Sequence, residues 1–281
     1  MTTTTAQTKP GRVAATLPQT VKDILVITRR NILRNLRLPQ LIILSTIQPI
    51  MFLLLFTYVF GGAIGVTLPP VAGGKYVNWL IPGLLVQSAV FGAGQTALGL
   101  TEDLSKGVID RFRSLPMARS AVLAGRAFSD LIRNGFVISL MLVVCVLIGF
   151  MYQTSFAGLI AGLAVAMLFS FAFSWIMATI GLLVKNPEAA QTAVFLPVFP
   201  LVFASSVFVP VQTMPDWLRG FAENQPVTVT VDALRGLILG EGALLAGHTV
   251  GGRVALSLFW SALLLAVFVP LAVRVYRRTV S

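Results

Sequence analysis

Long apolar blocks separated by short polar segments dominate the pattern along this chain. A helix needs about 20 mostly apolar residues to cross the roughly 30 Å hydrocarbon layer of a membrane. Six blocks meet this requirement, and they cover residues 41–60, 79–100, 134–152, 156–184, 189–209 and 254–273. Because lipid offers no partners to backbone amides, such segments cross it as helices. The pattern therefore predicts an all-α membrane protein with six transmembrane helices.

The polar segment before the first block is predicted to lie outside this domain. Residues 1–20 are rich in threonine and contain no apolar core of the kind that a signal peptide has. We expect residues 1–20 to be a disordered tail and residues 21–281 to be the transmembrane domain. Several prolines fall inside the apolar blocks, where we expect kinks or helix ends: Pro49, Pro197, Pro200 and Pro270.

The distribution of basic residues predicts the orientation. Of the 21 Lys and Arg residues, 17 fall in one set of loops, and the other set holds only Lys75, Arg219, Arg235 and Arg253. Basic loops mark the cytoplasmic side, so both termini are predicted to be cytoplasmic in a multi-pass protein of the cell membrane. Four aromatic residues are then expected in a belt at the outer interface, namely Tyr58, Tyr76, Trp79 and Tyr152.

Residues 21–38 form the first of three informative polar segments. Apolar residues recur there at helical spacing, at Val21, Ile24, Leu25, Thr28, Ile32 and Leu36, and Pro39 ends the run. Basic residues gather on the opposite face, at Lys22, Arg29, Arg30, Arg34 and Arg37. This pattern predicts an interfacial helix that contacts anionic lipid headgroups. The helix could serve only as an anchor, or it could also contact a partner protein.

The second segment, residues 101–126, is charged and is longer than most other loops. Thr101 is a candidate N-cap, with Glu102 and Asp103 in the first turn of a helix. Apolar residues follow at roughly helical spacing and Pro116 interrupts them, so we expect a cytoplasmic helical hairpin. It could be a simple connector, although long structured connections are often functional.

The third segment, residues 210–252, is predicted to lie on the outer side. It contains two short amphipathic stretches, 215–222 and 227–239, which are too short or too polar to span. We expect a re-entrant segment there, and the residues that define it are Pro215, Asp216, Trp217, Asn224, Pro226, Asp232 and Arg235. Its acidic residues, Asp216, Glu223 and Asp232, are interpreted as cap and surface charges.

Several kinds of chemistry are missing from the sequence. No GxxxxGK[ST] phosphate loop is present, and the single histidine, His248, excludes an HExxH metal site and is interpreted as solvated. Asp130 is expected to pair with Arg126 and Arg133 near the inner interface. The polar residues within the spans are interpreted as interhelical hydrogen-bonding groups rather than substrate contacts. They are Gln48, Gln87, Gln95, Ser139, Ser170, Ser174 and Gln191.

Three stretches of this sequence resemble the ABC-2 type permeases, specifically the daunorubicin-resistance branch of exporter permeases. The first is Glu102 to Arg126, which contains GVIDRFRSLPMARSAVLAGR, and the second is Lys185-Asn186-Pro187-Glu188. The third is PVQTMPDWLRGFAENQPVTVTVDALRGL at 210–237. Together with the six blocks, the resemblance covers nearly the whole chain after the tail.

The resemblance implies a transport subunit without catalytic residues, cofactor or metal of its own, driven by an ABC ATPase subunit that binds ATP and Mg. The implied coupling residues, which would dock into that ATPase, are Asp110, Arg111, Phe112, Arg113, Ser114, Leu115 and Pro116. The basic helix, with Arg29, Arg30, Arg34 and Arg37, would lie near the same ATPase. The resemblance further implies a homodimer or a pair with a second permease. The implied cargo is a hydrophobic drug, polyketide, lipid or polysaccharide, with no role for nucleic acid.

Two other functions remain open at this point. An ATP-independent channel or secondary transporter would need no ATPase. The lack of ionisable residues in the middle of the predicted spans argues against ion coupling, although a passive pore stays possible. An intramembrane enzyme would need a catalytic set, and none is evident.

Overall fold

The computed structural model describes residues 17–37, 39–62, 76–108, 119–184 and 186–279, and within those ranges the regular structure is helical. Nine helices of nine or more residues are described, together with the short 3₁₀ turns Val211–Thr213 and Glu241–Ala243. They are α1 (Leu17–Arg37), α2 (Pro39–Leu55, extended by a π-helical turn Phe56–Phe60), α3 (Tyr76–Ser105), α4 (Arg119–Leu147), α5 (Phe156–Val184), α6 (Pro187–Phe203), α7 (Asp216–Asn224), α8 (Pro226–Leu239) and α9 (Val250–Thr279).

Four of these helices are long and apolar enough to cross a membrane, and they are α3, α4, α5 and α9. Two further apolar helices are shorter, Thr46–Phe60 within α2 and its extension, and Pro187–Phe203, which is α6. The all-α membrane class therefore stands, whereas crossing by α2 and α6 remains a prediction. Helix α1 begins at Leu17 and so takes in residues 17–20 of the segment assigned to the tail; residues 1–16 lie outside the described ranges.

The predicted break at Thr101 is wrong. Helix α3 continues to Ser105, and the Thr101 hydroxyl donates to the carbonyl oxygens of Ala97 at 3.1 Å and Leu98 at 2.8 Å, within the same helix. A threonine that bonds back to its own helix in this way can stay inside it. On the other side of the 109–118 gap, the second hairpin helix and the third predicted span are one helix, α4.

The fifth predicted span also ends early, at Phe203 instead of 209. Pro197 and Pro200 lack the amide hydrogen that the helix ladder needs, and the chain leaves the helix at Ala204, whose amide donates to Pro200 O. At the other end, Asn186 caps the helix by accepting a hydrogen bond from the amide of Glu188. The predicted helix was therefore correct at its start and too long at its end.

Helix α3 is the centre of the bundle and is buried along most of its length against α4, α5, α6 and α8. Small residues allow the closest approaches. A Cβ on Gly181 of α5 would lie 2.7 Å from Ala97 O of α3, and a Cβ on Gly83 would lie 2.4 Å from Val207 O. These distances are shorter than any van der Waals contact, so the backbones meet only because both residues are glycine.

Large apolar side chains face outward on α4 and α9, for example Phe136, Val143, Phe259 and Val267. In water such a surface would promote aggregation, whereas lipid solvates it at no cost. The aromatic belt is a different matter, because Tyr76 and Trp79 are buried inside the protein. The prediction that they face the outer interface is therefore wrong, while Tyr58 and Tyr152 are exposed.

The bundle has two chemically distinct ends. At one end, the start of α4 and the ends of α3, α5 and α9 share an apolar cluster that includes Leu100, Leu182 and Tyr276. Helix α1 and most of the buried ion pairs lie at this end, which we call the basic end. At the opposite end, the 204–250 region packs on the start of α3, and we call this the outer-segment end.

Candidate functional site

Helix α1, which the sequence predicts to be interfacial, is attached to α4 along a buried stripe. Ile27 and Thr28 are buried, and the Thr28 hydroxyl donates to Gly125 O at 3.1 Å. A Cβ on Gly125 would lie 2.7 Å from Ile27 Cβ, so glycine is what allows the two helices to touch. The apolar positions of α1 are accordingly divided between this buried stripe and an exposed face that includes Leu25 and Leu36.

Five charged residues join α1, α3 and α4, and we call them the charged junction: Arg30, Arg34, Glu102, Asp103 and Arg126. Arg30 lies 3.3 Å from Asp103, Arg34 lies 3.6 Å from the other oxygen of Asp103, and Arg126 lies 4.0 Å away. Arg34 also pairs with Glu102. The Asp103 side chain is only 8% exposed, and a buried carboxylate needs cations of this kind to remain charged.

A second layer of polar contacts continues along α4. Asp130 accepts hydrogen bonds from Arg126 at 3.1 Å and from Thr96 at 2.8 Å. Arg133 lies 3.9 Å from Asp130 and donates to Gly92 O at 2.9 Å. The predicted pairing of Asp130 with both arginines is confirmed, and the structure adds the tie to α3 that the sequence did not reveal.

The four arginines predicted on α1 do not share one environment. Arg30 and Arg34 turn toward the carboxylates of α3, whereas Arg29 and Arg37 are exposed. The seven predicted coupling residues, Asp110–Pro116, lie outside the described residues. Their docking role stays a prediction, but the two ends of the 109–118 segment start from α3 and α4, which the charged junction holds together.

The two short helices predicted at 215–222 and 227–239 are confirmed as α7 and α8, with Pro215 at the N-cap position of α7 and Pro226 in the first turn of α8. Their place on the outer side of the membrane, as a re-entrant segment, stays a prediction. The Gln225 side chain caps α8 by accepting a hydrogen bond from the Val227 amide at 3.0 Å. Several predicted residues lie on the exposed side of α7. Asp216 pairs with Arg219 at 3.2 Å, Trp217 is exposed, and Asn224 donates to Gly220 O.

The interpretation of Asp232 as a surface charge is wrong. It lies inside a buried network, which we call the outer latch: Trp79, Ser206, Asp232, Arg235 and Arg253. Arg235 is 2% exposed, stacks 3.5 Å from the Trp79 ring centroid and donates to Trp79 O at 3.2 Å and to Ser206 O. Asp232 lies 3.4 Å from Arg235 and 3.7 Å from Arg253, and it accepts from Ser206 at 3.1 Å.

Burial and charge act in opposite directions on the outer latch. Burial raises the pKa of Asp232 and lowers the pKa of Arg235 to about 10, while their mutual attraction opposes both shifts. His248 is half-buried beside the latch, with its ring nitrogens 2.7 and 3.0 Å from Arg253 Nη2, so it is not the solvated loop residue that the sequence suggested. Sequence reasoning also missed Trp79, Ser206 and Arg253, which no local pattern links to α8.

No cluster of His, Cys, Asp or Glu with metal-binding geometry occurs in the part of the chain that the structure describes. The charged junction and the outer latch instead join helices at the two ends of the bundle. Comparison with known proteins identifies the family of the chain. Residues 22–239 match the model of the ABC-2 type transporter family. The chain belongs to this family.

Two curated relatives of this ABC-2 permease are informative. One, from Streptomyces coeruleorubidus, is named daunorubicin resistance ABC transporter permease protein DrrB1; it is 34% identical over 85% of this chain and 80% of its own length. Another, from Mycobacterium tuberculosis, is named "Probable doxorubicin resistance ABC transporter permease protein DrrC"; it is 24% identical over 92% of this chain and 89% of its own. The resemblance noted from the sequence is confirmed, and the protein is a multi-pass membrane permease.

Proposed function

We propose that this permease is the membrane subunit of an ATP-driven exporter, with ATP and Mg bound by a separate ABC ATPase subunit. The observation that carries the proposal is the charged junction, which clamps α1, α3 and α4 where the 109–118 segment begins and ends. Because ion pairs to the buried Asp103 join α1, α3 and α4, a mechanical push on the segment can pass to the helices that it connects. Exposed connectors without such support would bend instead.

Helix α3 is the element that carries the push across the protein. It contains 30 residues, which corresponds to about 45 Å of helix, and it joins Asp103 at the charged junction to Trp79 in the outer latch. A displacement of its inner end therefore reaches the contact between Trp79 and Arg235. In this proposal the latch opens as cargo leaves, and α7 and α8 act as the outer gate.

The orientation and assembly follow from the same proposal. The basic end faces the cytoplasm, so both termini are cytoplasmic, and α1 lies against anionic lipid with its exposed Arg29 and Arg37. The permease acts as a dimer, with itself or with a second permease. Its exported cargo is a hydrophobic drug, polyketide or lipid, in keeping with the resistance names of the relatives.

The decisive test asks whether the permease couples ATP turnover by the ATPase to transport of the cargo. The permease is co-expressed with an ABC ATPase, reconstituted in proteoliposomes and assayed for ATP turnover and doxorubicin uptake. Arg111→Ala and Phe112→Ala are expected to reduce both activities at least tenfold because they remove the docking contacts. Arg274→Ala and Phe259→Ala make the same chemical changes at exposed positions on α9, outside the coupling segment and the gate, and should leave turnover unchanged.

Two results would contradict the proposal. If ATP turnover and doxorubicin uptake are unchanged by the Arg111 and Phe112 substitutions, residues 110–116 are not the coupling residues. Uptake by the permease in the complete absence of an ATPase and of ATP would favour the channel or secondary-transporter function instead.

A further inference from the structure

A cleft of about 210 Å³ lies between α2, α3, α4 and α6. Four glutamines line it, one from α2, two from α3 and one from α6: Gln48, Gln87, Gln95 and Gln191. They are far apart in sequence, so only the fold brings them together. Each amide can donate and accept hydrogen bonds, which makes the set suited to hydroxyl and carbonyl groups.

One of these amides is buried without a partner. Gln87 is 4% exposed, and its Oε1 has no hydrogen-bond partner among the described residues. A buried polar atom without a partner destabilises the protein, and a donor group on a bound ligand would remove that penalty. The interpretation of Gln87 as an interhelical hydrogen-bonding group is therefore wrong for this oxygen.

Neighbouring polar residues behave differently. Asn134 donates to Ala89 O at 3.1 Å and to Ser170 Oγ at 2.8 Å, and Ser170 donates in turn to Ala89 O. For Ser170 the interhelical interpretation is confirmed. Ser139 and Ser174 bond to carbonyls of their own helices. Buried polar atoms without a described partner also occur outside the cleft, for example Trp175 Nε1 and Ser261 Oγ. What distinguishes Gln87 is that it lines an open cleft, where a ligand can reach its side chain.

An aromatic wall completes the cleft. Phe91 and Phe195 line it with ring centroids 6.2 Å apart, and Phe199 meets Phe91 edge to face at 5.9 Å. Phe52 of α2 lines the cleft as well. Rings arranged in this way offer faces and edges to a planar guest.

The charge of the cleft selects against cations. Its described lining contains no carboxylate, and its one ionised side chain is that of Arg133. Part of that charge is offset by Asp130 at 3.9 Å, outside the cleft. An ammonium group entering the cleft would leave water and meet a positive neighbour without a counter-ion.

We propose that this amide-lined cleft binds the cargo, and that the cargo is an uncharged, planar, amphipathic molecule with hydroxyl or carbonyl groups. The inference rests on the proposed export function and narrows its substrate class. Gln87 supplies the central hydrogen bond, the phenylalanines cover the rings, and Arg133 disfavours cations.

A matched pair of probes tests charge selection directly. Doxorubicin carries an ammonium group on its sugar, and N-acetyl-doxorubicin has the same rings and hydroxyls without that charge. Binding is measured by probe fluorescence on the permease alone in lipid nanodiscs, with empty nanodiscs subtracted. We expect the wild-type permease to bind the acetylated probe at least threefold more tightly.

Substitutions then assign the site. Gln87→Leu should weaken binding of the acetylated probe about two- to tenfold, as loss of one hydrogen bond predicts. Gln153→Leu makes the same change at an exposed position outside the cleft and should have no effect. Gln87→Glu keeps the shape but adds a carboxylate and should shift the preference toward doxorubicin. Gln191→Leu, on an exposed part of α6, provides a second loss-of-binding variant should Gln87→Leu fold poorly.

The proposal would be overturned by failure of N-acetyl-doxorubicin to bind the wild-type permease, by tighter binding of the cationic doxorubicin, or by equal effects of Gln87→Leu and Gln153→Leu. Because no ATPase or nucleotide is present, these outcomes are independent of whether ATP drives export. If the cleft binds the probes as expected but the permease fails the coupling test, the binding site stands and the proposal of an ATP-driven exporter fails.

Discussion

A single missing methyl group sets the distance between α3 and α5. At Gly181 an added Cβ would lie 2.7 Å from Ala97 O and 2.8 Å from Ala97 Cα, and both of these atoms belong to the backbone. A flexible side chain could move away from such a contact, but a helix backbone cannot. Small residues at helix contacts of this kind allow the dispersion forces that hold helices together in lipid.

Gly181→Ala is therefore expected to destabilise the permease by about 1–3 kcal/mol, the usual cost of overpacking. The matched change Gly220→Ala, in the middle of α7, meets no atom within 4 Å and should instead gain about 0.5–1 kcal/mol from helix propensity. Thermal unfolding midpoints of the two variants in the same detergent should move in opposite directions. If both midpoints moved in the same direction, α3 and α5 would not be in close backbone contact at Gly181.

Arg235 is the residue on which the outer latch depends. Replacing it with alanine removes its stacking on Trp79 and leaves Asp232 with Arg253 as its remaining cation, so a loss of about 3–5 kcal/mol is expected. Arg219→Ala removes an arginine from a largely exposed pair in the same segment and should cost about 0–1 kcal/mol. Thermal unfolding in detergent measures both. Similar losses for the two variants would contradict the buried position of Arg235.

Residue-level prediction succeeded where a pattern is local and failed where it is not. The pairing of Asp130 with Arg126 and Arg133 follows from spacing along one helix, and the structure confirms it. The burial of Asp232 depends on Trp79 and Ser206, which are distant in sequence. No periodicity within 210–252 contains that information, so the acidic residue seemed to belong on the surface.

At the scale of elements, α1 shows how ion pairs can direct a helix that has two apolar faces. One apolar face packs on α4 through Ile27, and the other apolar face is exposed. The arginines between the two faces pair with carboxylates of α3 and so fix which face packs on the bundle. Arg34 pairs with Glu102 and lies 3.6 Å from Asp103. The position of α1 is therefore sensitive to the sign of charge at these sites.

A charge exchange tests this arrangement. Arg34→Glu places three carboxylates together and should lower the thermal unfolding midpoint and the export rate. Glu102→Arg should lower both as well, because it adds a third arginine beside Arg30 and Arg34. The double variant restores an opposite pair and should recover at least half of each loss. Arg274→Glu makes the same charge reversal at an exposed site on α9, serves as the control and should change neither. Additive losses in the double variant would show that Arg34 and Glu102 do not interact.

Prediction of the elements was accurate for their existence and weaker for their ends. Helices α1, α7 and α8 follow from periodicity and from proline signals, and the structure confirms that these segments are helical. The extension of α3 beyond residue 100 depends on cations from α1 and α4 that stabilise Asp103 inside the bundle. Without knowledge of those cations, an acidic pair after an apolar run is interpreted as the first turn of a new helix.

At the scale of the whole molecule, the position of α6 decides the number of membrane crossings. Its 17 residues span about 26 Å, slightly less than the hydrocarbon layer. Its first turn follows the basic end of α5, and its last turn leads to Ser206, which belongs to the outer latch. The helix thus runs from one end of the bundle to the other, as a crossing helix would.

Cysteine labelling can count the crossings. The single cysteine, Cys145, is buried and can be replaced by alanine, after which cysteines are introduced singly at Lys106, Glu188 and Gly220. A membrane-impermeant maleimide added to intact cells should label only Gly220→Cys, because the six-span arrangement places the other two positions in the cytoplasm. Permeabilised cells should label all three, which controls for reactivity. Labelling of Glu188→Cys and Gly220→Cys from the same side would mean that α6 returns without crossing, and then α9 and the basic C-terminal residues Arg277 and Arg278 would have the opposite orientation.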